Sequence, residues 1–187
     1  MEEQKDYFTL EDVIRNAFMS VVWSHKIHEQ ESDRLAEKYK ILEFLRVTCD
    51  TMTTVGVTTI IFADESYVKI VSAVISAIST IIGLMFRSFD IPNKIYEHKQ
   101  TANLLLVVRD KLKLLLLDIK MNTKSANEIR NAYEMLLGEL HKIYQDAPNT
   151  ENQAVKRANK AINIRKDNEF SDREIDNNLP QSLRKEV

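Results

Sequence analysis

Few side chains in this sequence have the types and spacing that catalysis or metal binding requires. His25, His28 and Glu29 lie within the segment HKIHE, where two imidazoles are three residues apart. Zinc-binding helices of metalloproteases need H-E-x-x-H or H-x-x-E-H, and no third ligand lies nearby in the sequence. Cys49 has no evident histidine partner, and the three glycines are too far apart to form a phosphate-binding loop. We therefore predict no catalytic, cofactor or metal site, and a protein that is not an enzyme.

Asp50 is the one charged residue within the long apolar segment from Val47 to Phe62. A carboxylate inside a membrane-spanning helix is costly and by default indicates a function. Arg46 precedes Asp50 by four residues, so an ion pair on one helix face is a sufficient structural explanation. In an oligomer the same carboxylates would instead form an acidic ring that favours cations. The sequence leaves both interpretations open.

Small and hydroxyl-bearing residues form a stripe along each of two apolar segments. Small residues let membrane helices approach closely, whereas an oligomer would turn the same stripes toward water. The residues at helical spacing are Thr48, Thr51, Val55 and Thr58 in the first segment and Ser72, Ser76, Ser79 and Gly83 in the second. Our candidates for a helix seam or a pore lining are Asp50, Thr51, Thr58, Ser72, Ser76, Ser79 and Gly83. A two-helix hairpin cannot enclose a channel alone, so any conducting path needs several copies.

The elements that must position these residues are two apolar helices, 47–62 and 70–89, joined by an acidic turn, 63–69. The apolar runs within them, 47–62 and 70–86, reach about 24 to 26 Å at a rise of about 1.5 Å per residue, a little less than the roughly 30 Å hydrocarbon core. Flanking Arg and Lys side chains extend this reach to the headgroups. We predict a transmembrane hairpin. The alternative is a buried hairpin in a soluble bundle, which the second run disfavours because its only polar groups are hydroxyls.

Charge around the hairpin predicts its orientation. Basic residues lie on the outer flank of each span, and the connecting turn is acidic. By the positive-inside rule both termini lie in the cytoplasm, and we expect a multi-pass inner-membrane protein. The start MEEQKDYF lacks the basic and apolar regions of a signal peptide, so the first span would serve as its own insertion signal. The net charge of −2 argues against direct nucleic-acid binding.

Helical periodicity in the remaining sequence predicts a cytoplasmic helical bundle, so the expected fold class is all-α. It comprises an N-terminal helix, 1–46, which is expected to run from about Leu10 without a break into the first span. Further helices are expected in 90–148, where Asp90 is expected to cap a helix with Pro92 in its first turn. Residues 149–187 are expected to be weakly helical and then disordered. Measuring helix rise from Arg46 and Arg87 places Trp23 opposite Arg109 to Leu112, and His98 opposite Leu35 and Ala36.

This arrangement resembles the SLATT family, the SMODS- and SLOG-associating two-transmembrane effectors of bacterial conflict systems. The resemblance covers residues 10–144. It rests on W-S-H-K at 23–26, L-A-E-K-Y at 35–39, the Thr- and Gly-containing first span around 53–57, the second span, and Y-E-H-K-Q-T-A-N-L at 96–104. From this order we take as candidate bundle-organising positions Trp23, His25, Glu97 and His98.

The resemblance implies a membrane effector of antiphage defence that oligomerises on a signal and permeabilises the inner membrane, causing abortive infection. The signal would come from a separately encoded nucleotide-signalling or reverse-transcriptase-type sensor protein. Two other functions remain open from the sequence. One is a membrane-anchored adaptor whose bundle recruits a partner without forming a pore. The other is a soluble bundle whose hairpin inserts only when triggered.

Overall fold

The computed structural model describes residues 2–63, 66–167, 170–181 and 184 of the 187-residue chain, with side chains described for all of these except 2–6, 59–63, 86 and 87. The described residues form helices and no strands, which confirms the all-α prediction. The elements are α1 (Glu2–Ala63), α2 (Ser66–Phe89), α3 (Ile91–Met121), α4 (Ala126–Asp146), α5 (Asn152–Asn159), a π-helical segment (Lys160–Arg165) and α6 (Asp172–Asn178).

Helix α1 is 62 residues long and contains no proline. At about 1.5 Å per residue it extends roughly 93 Å, enough to combine a membrane span of about 30 Å with a long helix outside it. The sequence predicts one helix running from the N-terminal region into the first apolar segment, and the structure agrees. Its boundary at residue 46 is therefore a change in composition within one continuous helix.

Helix α1 packs antiparallel against α2 and α3, and residues at similar distances in sequence from residues 64–65 face each other. Hydrogen bonds show this register: His28 contacts His98, His25 contacts the Ala102 carbonyl, and Ser32 donates to the Ile95 carbonyl. The prediction that His98 faces Leu35 and Ala36 is wrong by about two helical turns.

This prediction fails mainly because it assumes that Arg46 and Arg87 lie at the same depth. Arg87 is about four residues further from residues 64–65 than Arg46 is, and residues that meet lie at similar distances from that point. The predicted position of Trp23 opposite Arg109 to Leu112 fails for the same reason, since its neighbour His25 contacts Ala102.

Asp90 separates α2 from α3 in a left-handed backbone conformation, with φ 44° and ψ 49°. Asp tolerates this conformation better than most non-glycine residues. Pro92 lies in the first turn of α3 as predicted, where its missing N–H costs no helical hydrogen bond. The Asp90 side chain makes no capping hydrogen bond; instead its carbonyl accepts from the Lys94 N–H at 3.1 Å.

The apolar core lies in the half of the bundle far from the hairpin. It joins the N-terminal part of α1 to α3 and α4 and consists of Ile14, Val21, Leu105, Val108, Leu112, Leu115, Ile129 and Leu136. Helix α4 begins with a capping box formed by Ser125 and Glu128, which satisfies two free N–H groups. These contacts hold α3 and α4 against the first turns of α1.

Residues 151–167 form a strap that packs along α1. Ala154, Ala158 and Ala161 recur at i, i+4 and i+7 and are fully buried there. The sequence predicts only weak helicity in this region, and the close fit of three alanines was not foreseen. Helix α6 follows within the region predicted to be disordered and buries none of its residues. Within that predicted tail, residues 168–169, 182–183 and 185–187 lie outside the described residues.

Candidate functional site

Helix α2 exposes its apolar side chains. Ser66–Met85 is the one stretch of the described residues that is long and apolar enough to cross a membrane, and only 17% of it is buried. The outward residues include Ile70, Val71, Val74, Ile78, Ile81 and Leu84. The predicted first span, 47–62, does not meet the same criterion, and the side chains of its last four residues are not described. That residues 47–62 also span the membrane therefore stays a prediction.

The contact between α1 and α2 is built from small and polar residues. Ser72 and Ser79 are 7% and 6% exposed. A Cβ atom on Gly56 would collide with the Ser72 hydroxyl and lie 3.1 Å from the Ser72 Cβ. Gly56 thus allows the two helices to approach closely, as small residues do in membrane-helix pairs.

The seam involves a different face of α1 from the one the sequence suggested. Thr51 and Thr58 are exposed, and the half-buried residues are Cys49, Thr53 and Gly56. In α2, Ser76 is half-buried, but a Cβ atom on Gly83 would meet nothing within 4 Å. Within one chain, Thr51, Thr58 and Gly83 are therefore not part of the close contact. On α1 the residue that packs closely against α2 is Gly56, which lies outside the threonine row.

Asp50 links the two helices. The Ser79 hydroxyl donates a hydrogen bond to Asp50 Oδ1 across the seam. Arg46 donates to Glu43 through Nη2 at 2.5 Å and Nε at 3.1 Å, and this pairing chiefly raises the Arg46 pKa, with a smaller contribution from the charge of Asp50. The attraction between Arg46 and Asp50 that the sequence suggested therefore coexists with a hydrogen bond that the sequence did not indicate.

Threonine hydroxyls along this part of α1 bond to their own helix. Each donates to the carbonyl four residues earlier at 2.8 to 2.9 Å, as seen for Thr48, Thr51, Thr53, Thr54 and Thr58. Such back-bonding satisfies the hydroxyl without a partner from outside. These threonines can consequently face lipid at a lower cost than free hydroxyls would.

A buried polar layer lies between the hairpin and the apolar core. Its α1 and α3 members, all under 10% exposed, are His25, Lys26, His28, Glu31, Ser32, Arg34, His98 and Thr101. The His28 and His98 Nδ1 atoms are 3.0 Å apart, and His25 Nδ1 lies 2.9 Å from the Ala102 carbonyl oxygen. Among the described residues no group of three or more His, Cys, Asp or Glu could hold a metal ion.

Both paired histidines are neutral at pH 7. Burial is the main cause that lowers the His28 pKa to about 4, and His98 lowers it further. Burial also lowers the His98 pKa. Since desolvation disfavours the charged imidazole, one Nδ1 carries hydrogen and donates while the other accepts.

Arg34 and Glu31 form a buried ion pair in the same layer. Nε and Nη2 of Arg34 donate to the two Glu31 oxygens at 3.0 and 2.5 Å, and Nη2 lies 2.9 Å from Glu151 at the start of the strap. The hydrogen bond to Glu31 is the main cause of the raised Arg34 pKa. Nη1 is the one buried side-chain nitrogen or oxygen of the described residues without a hydrogen-bond partner.

The four candidate bundle-organising residues lie in different surroundings. His25 and His98 belong to the polar layer, whereas Trp23 is half-buried and Glu97 is exposed and accepts from Asn93 at 2.7 Å. Sequence reasoning missed Glu31 and Arg34 and dismissed His28. The antiparallel register about the turn was the signal that could have brought His28 and His98 together.

Comparison with known proteins identifies the family. The model of SMODS and SLOG-associating 2TM effector domain family 4 matches residues 10–174. The chain belongs to this family. No curated protein and no solved structure matches it. The family assignment confirms the resemblance read from the sequence and extends it past residue 144, so that the strap and the start of α6 are part of the SLATT domain.

Proposed function

We propose that this SLATT protein is an effector of a bacterial antiphage conflict system that acts on the inner membrane. Residues 47–62 and 70–89 span the membrane with both termini in the cytoplasm. A signal from a separately encoded partner makes several copies assemble, and the assembled hairpins permeabilise the membrane. The infected cell then dies or stops growing.

The observation that carries this proposal is the reversed polarity of the hairpin. Its helix contact contains Gly56, Ser72 and Ser79, and most of its large apolar side chains lie on the outer surface. Exposed side chains on the α1 half include Phe44, Val47, Met52, Val55 and Val57. A water-soluble hairpin would bury such residues, whereas lipid stabilises them on the surface.

An assembly would draw its pore lining from residues that one chain leaves outside the seam. Thr51 and Thr58 are exposed, and Ser76 is half-buried. Asp50 is also exposed while it bonds Ser79, so it remains a candidate for an acidic ring at the cytoplasmic mouth. The association with SMODS and SLOG in the family name supports a nucleotide-signalling protein as the partner.

Leakage from lipid vesicles tests the proposal. The purified full chain, fused to an inducible dimerising tag, is reconstituted into vesicles that contain a fluorescent dye. We expect dye release only after the inducer is added, because assembly is what permeabilises. A matched variant in which an unrelated two-helix tether replaces 47–89 should release no dye. Lack of leakage with the inducer, and also with the cognate partner present, would contradict pore formation.

A membrane-anchored adaptor is the second candidate, favoured by apolar side chains exposed outside the predicted spans. Leu114, Met121 and Met135 are 61%, 62% and 73% exposed on α3 and α4. Such residues suit recruitment of another protein. The tether variant separates the two functions in cells, since an adaptor would keep its protective activity with a foreign tether and a pore would lose it.

A further inference from the structure

Protonation can disrupt the hydrogen bond between His28 of α1 and His98 of α3. The two side chains belong to residues that are 6% and 3% exposed, and their ring centroids are 5.2 Å apart. Their hydrogen bond joins two Nδ1 atoms at 3.0 Å, so it needs one protonated and one unprotonated nitrogen. A first added proton places a charge in a buried site, and a second removes the acceptor.

Neighbouring carboxylates offset only part of the cost of burying a protonated pair. The groups that face the two imidazoles are His25, Glu31 and Arg34 from α1 and Lys94 and Glu97 from α3, with Glu151 of the strap bound to Arg34. Glu31 is the buried carboxylate among them, and both its oxygens already accept from Arg34. The charge of Glu31 raises both histidine pKa values and that of Glu97 raises the His98 pKa, but burial is the larger effect and lowers both.

We propose that the His28–His98 pair is a proton-sensitive latch that holds α1 against α3 at neutral pH and weakens on acidification. This inference concerns the contact between the two helices and holds whether or not the chain permeabilises a membrane. Its consequence is that mild acidification loosens the bundle next to the hairpin.

The direction follows from the shifted pKa values. The His28 pKa is about 4 in the closed structure and returns to about 6.5 when separation of the helices exposes the ring. The latch is therefore at full strength above about pH 6.5 and weakens as the pH falls toward 4. By this linkage His28 alone makes opening about tenfold more favourable at pH 5.5 than at pH 7.5. The lowered His98 pKa acts in the same direction.

Hydrogen exchange of the full chain in lipid nanodiscs measures this opening. Amide protection factors for residues 95–105 of α3, corrected for the intrinsic pH dependence of exchange, are compared at pH 7.5 and 5.5. We expect a fall of about tenfold or more in the unmodified protein. A His28→Gln, His98→Gln double variant keeps neutral hydrogen-bonding side chains, and its protection should not change between the two pH values. The His141→Gln variant, altered at an exposed histidine of α4, should retain the full fall.

A second measurement applies even if the double variant folds poorly. Nuclear magnetic resonance of histidine-labelled unmodified protein reports the titration of the His28 ring before and after unfolding in urea. The proposal predicts a native pKa well below the unfolded one. It is overturned if the two coincide, if protection in the unmodified protein is the same at both pH values, or if the double variant shows the same fall.

Discussion

Single residues show how the helices of this chain are held together. The polar layer around His28 and Arg34 is buried between helices α1 and α3, although polar groups are usually excluded from such interfaces unless they are paired. Here nearly every member has a partner, most clearly in the ion pair of Arg34 with Glu31. We expect the layer to help hold the register of the two helices, because the hydrogen bonds of His25, His28 and Ser32 each join one residue of α1 to one of α3.

Removing one member of the buried ion pair should be strongly destabilising. Arg34→Met leaves Glu31 buried without its partner, which costs about 3–5 kcal/mol in the free energy of unfolding. The matched control, Arg15→Met, breaks an exposed pair with Glu11 and should cost about 0–1 kcal/mol. Urea unfolding of both variants in detergent, followed by circular dichroism, measures the difference. Equal effects would show that the Arg34 pair does not hold the layer together.

Residue-level prediction from the sequence succeeded only for part of this layer. The sequence favours His25 and His98 as organising positions, and the structure places both at the α1–α3 interface; their organising role stays a prediction. His28 was considered only as a metal ligand beside His25, because its partner lies 70 residues away. Spacing along one helix cannot reveal a pairing that the turn between two helices determines.

At the scale of elements, the sequence predicts where the helices lie better than it predicts which helix faces pack together. The absence of proline and the apolar runs were sufficient to predict the long α1 helix and the apolar α2 helix. The rotation of α1 against α2 was not predictable, because rows of threonines occur on several faces of α1. Close packing at Gly56 selects one face, and only the two helices together reveal it.

Two glycines of the hairpin provide a matched test of that packing. Gly56→Ala pushes a methyl group into Ser72, so it should destabilise the helix pair by about 1–2 kcal/mol. Gly83→Ala has open space and should be neutral or stabilising by up to about 1 kcal/mol through helix propensity. Unfolding in mixed detergent micelles of increasing dodecyl sulfate content compares them. Should Gly83→Ala be the more harmful of the two, the seam described here is wrong.

For the whole molecule, helical periodicity and the two apolar runs were enough to predict an all-α protein. They were not enough to predict the strap, because three alanines among charged residues give a weak apolar signal even though all three are fully buried. The strap lies within the family domain and bonds α1 at Arg34 and Glu37. We therefore regard the α1–α3 bundle with its strap as one unit carried by the hairpin.

The central claim is that lipid surrounds the hairpin, with the turn on the far side of the inner membrane. The most direct measurement is labelling of intact spheroplasts by a membrane-impermeant maleimide, using single-cysteine variants in a Cys49→Ala background. Tyr67→Cys, at an exposed position just after the turn, should be labelled from outside, and Ser20→Cys, exposed on α1, should be labelled only after the membrane is opened. If the Tyr67→Cys variant is never labelled in intact spheroplasts and the protein fractionates with the cytosol, the account is contradicted.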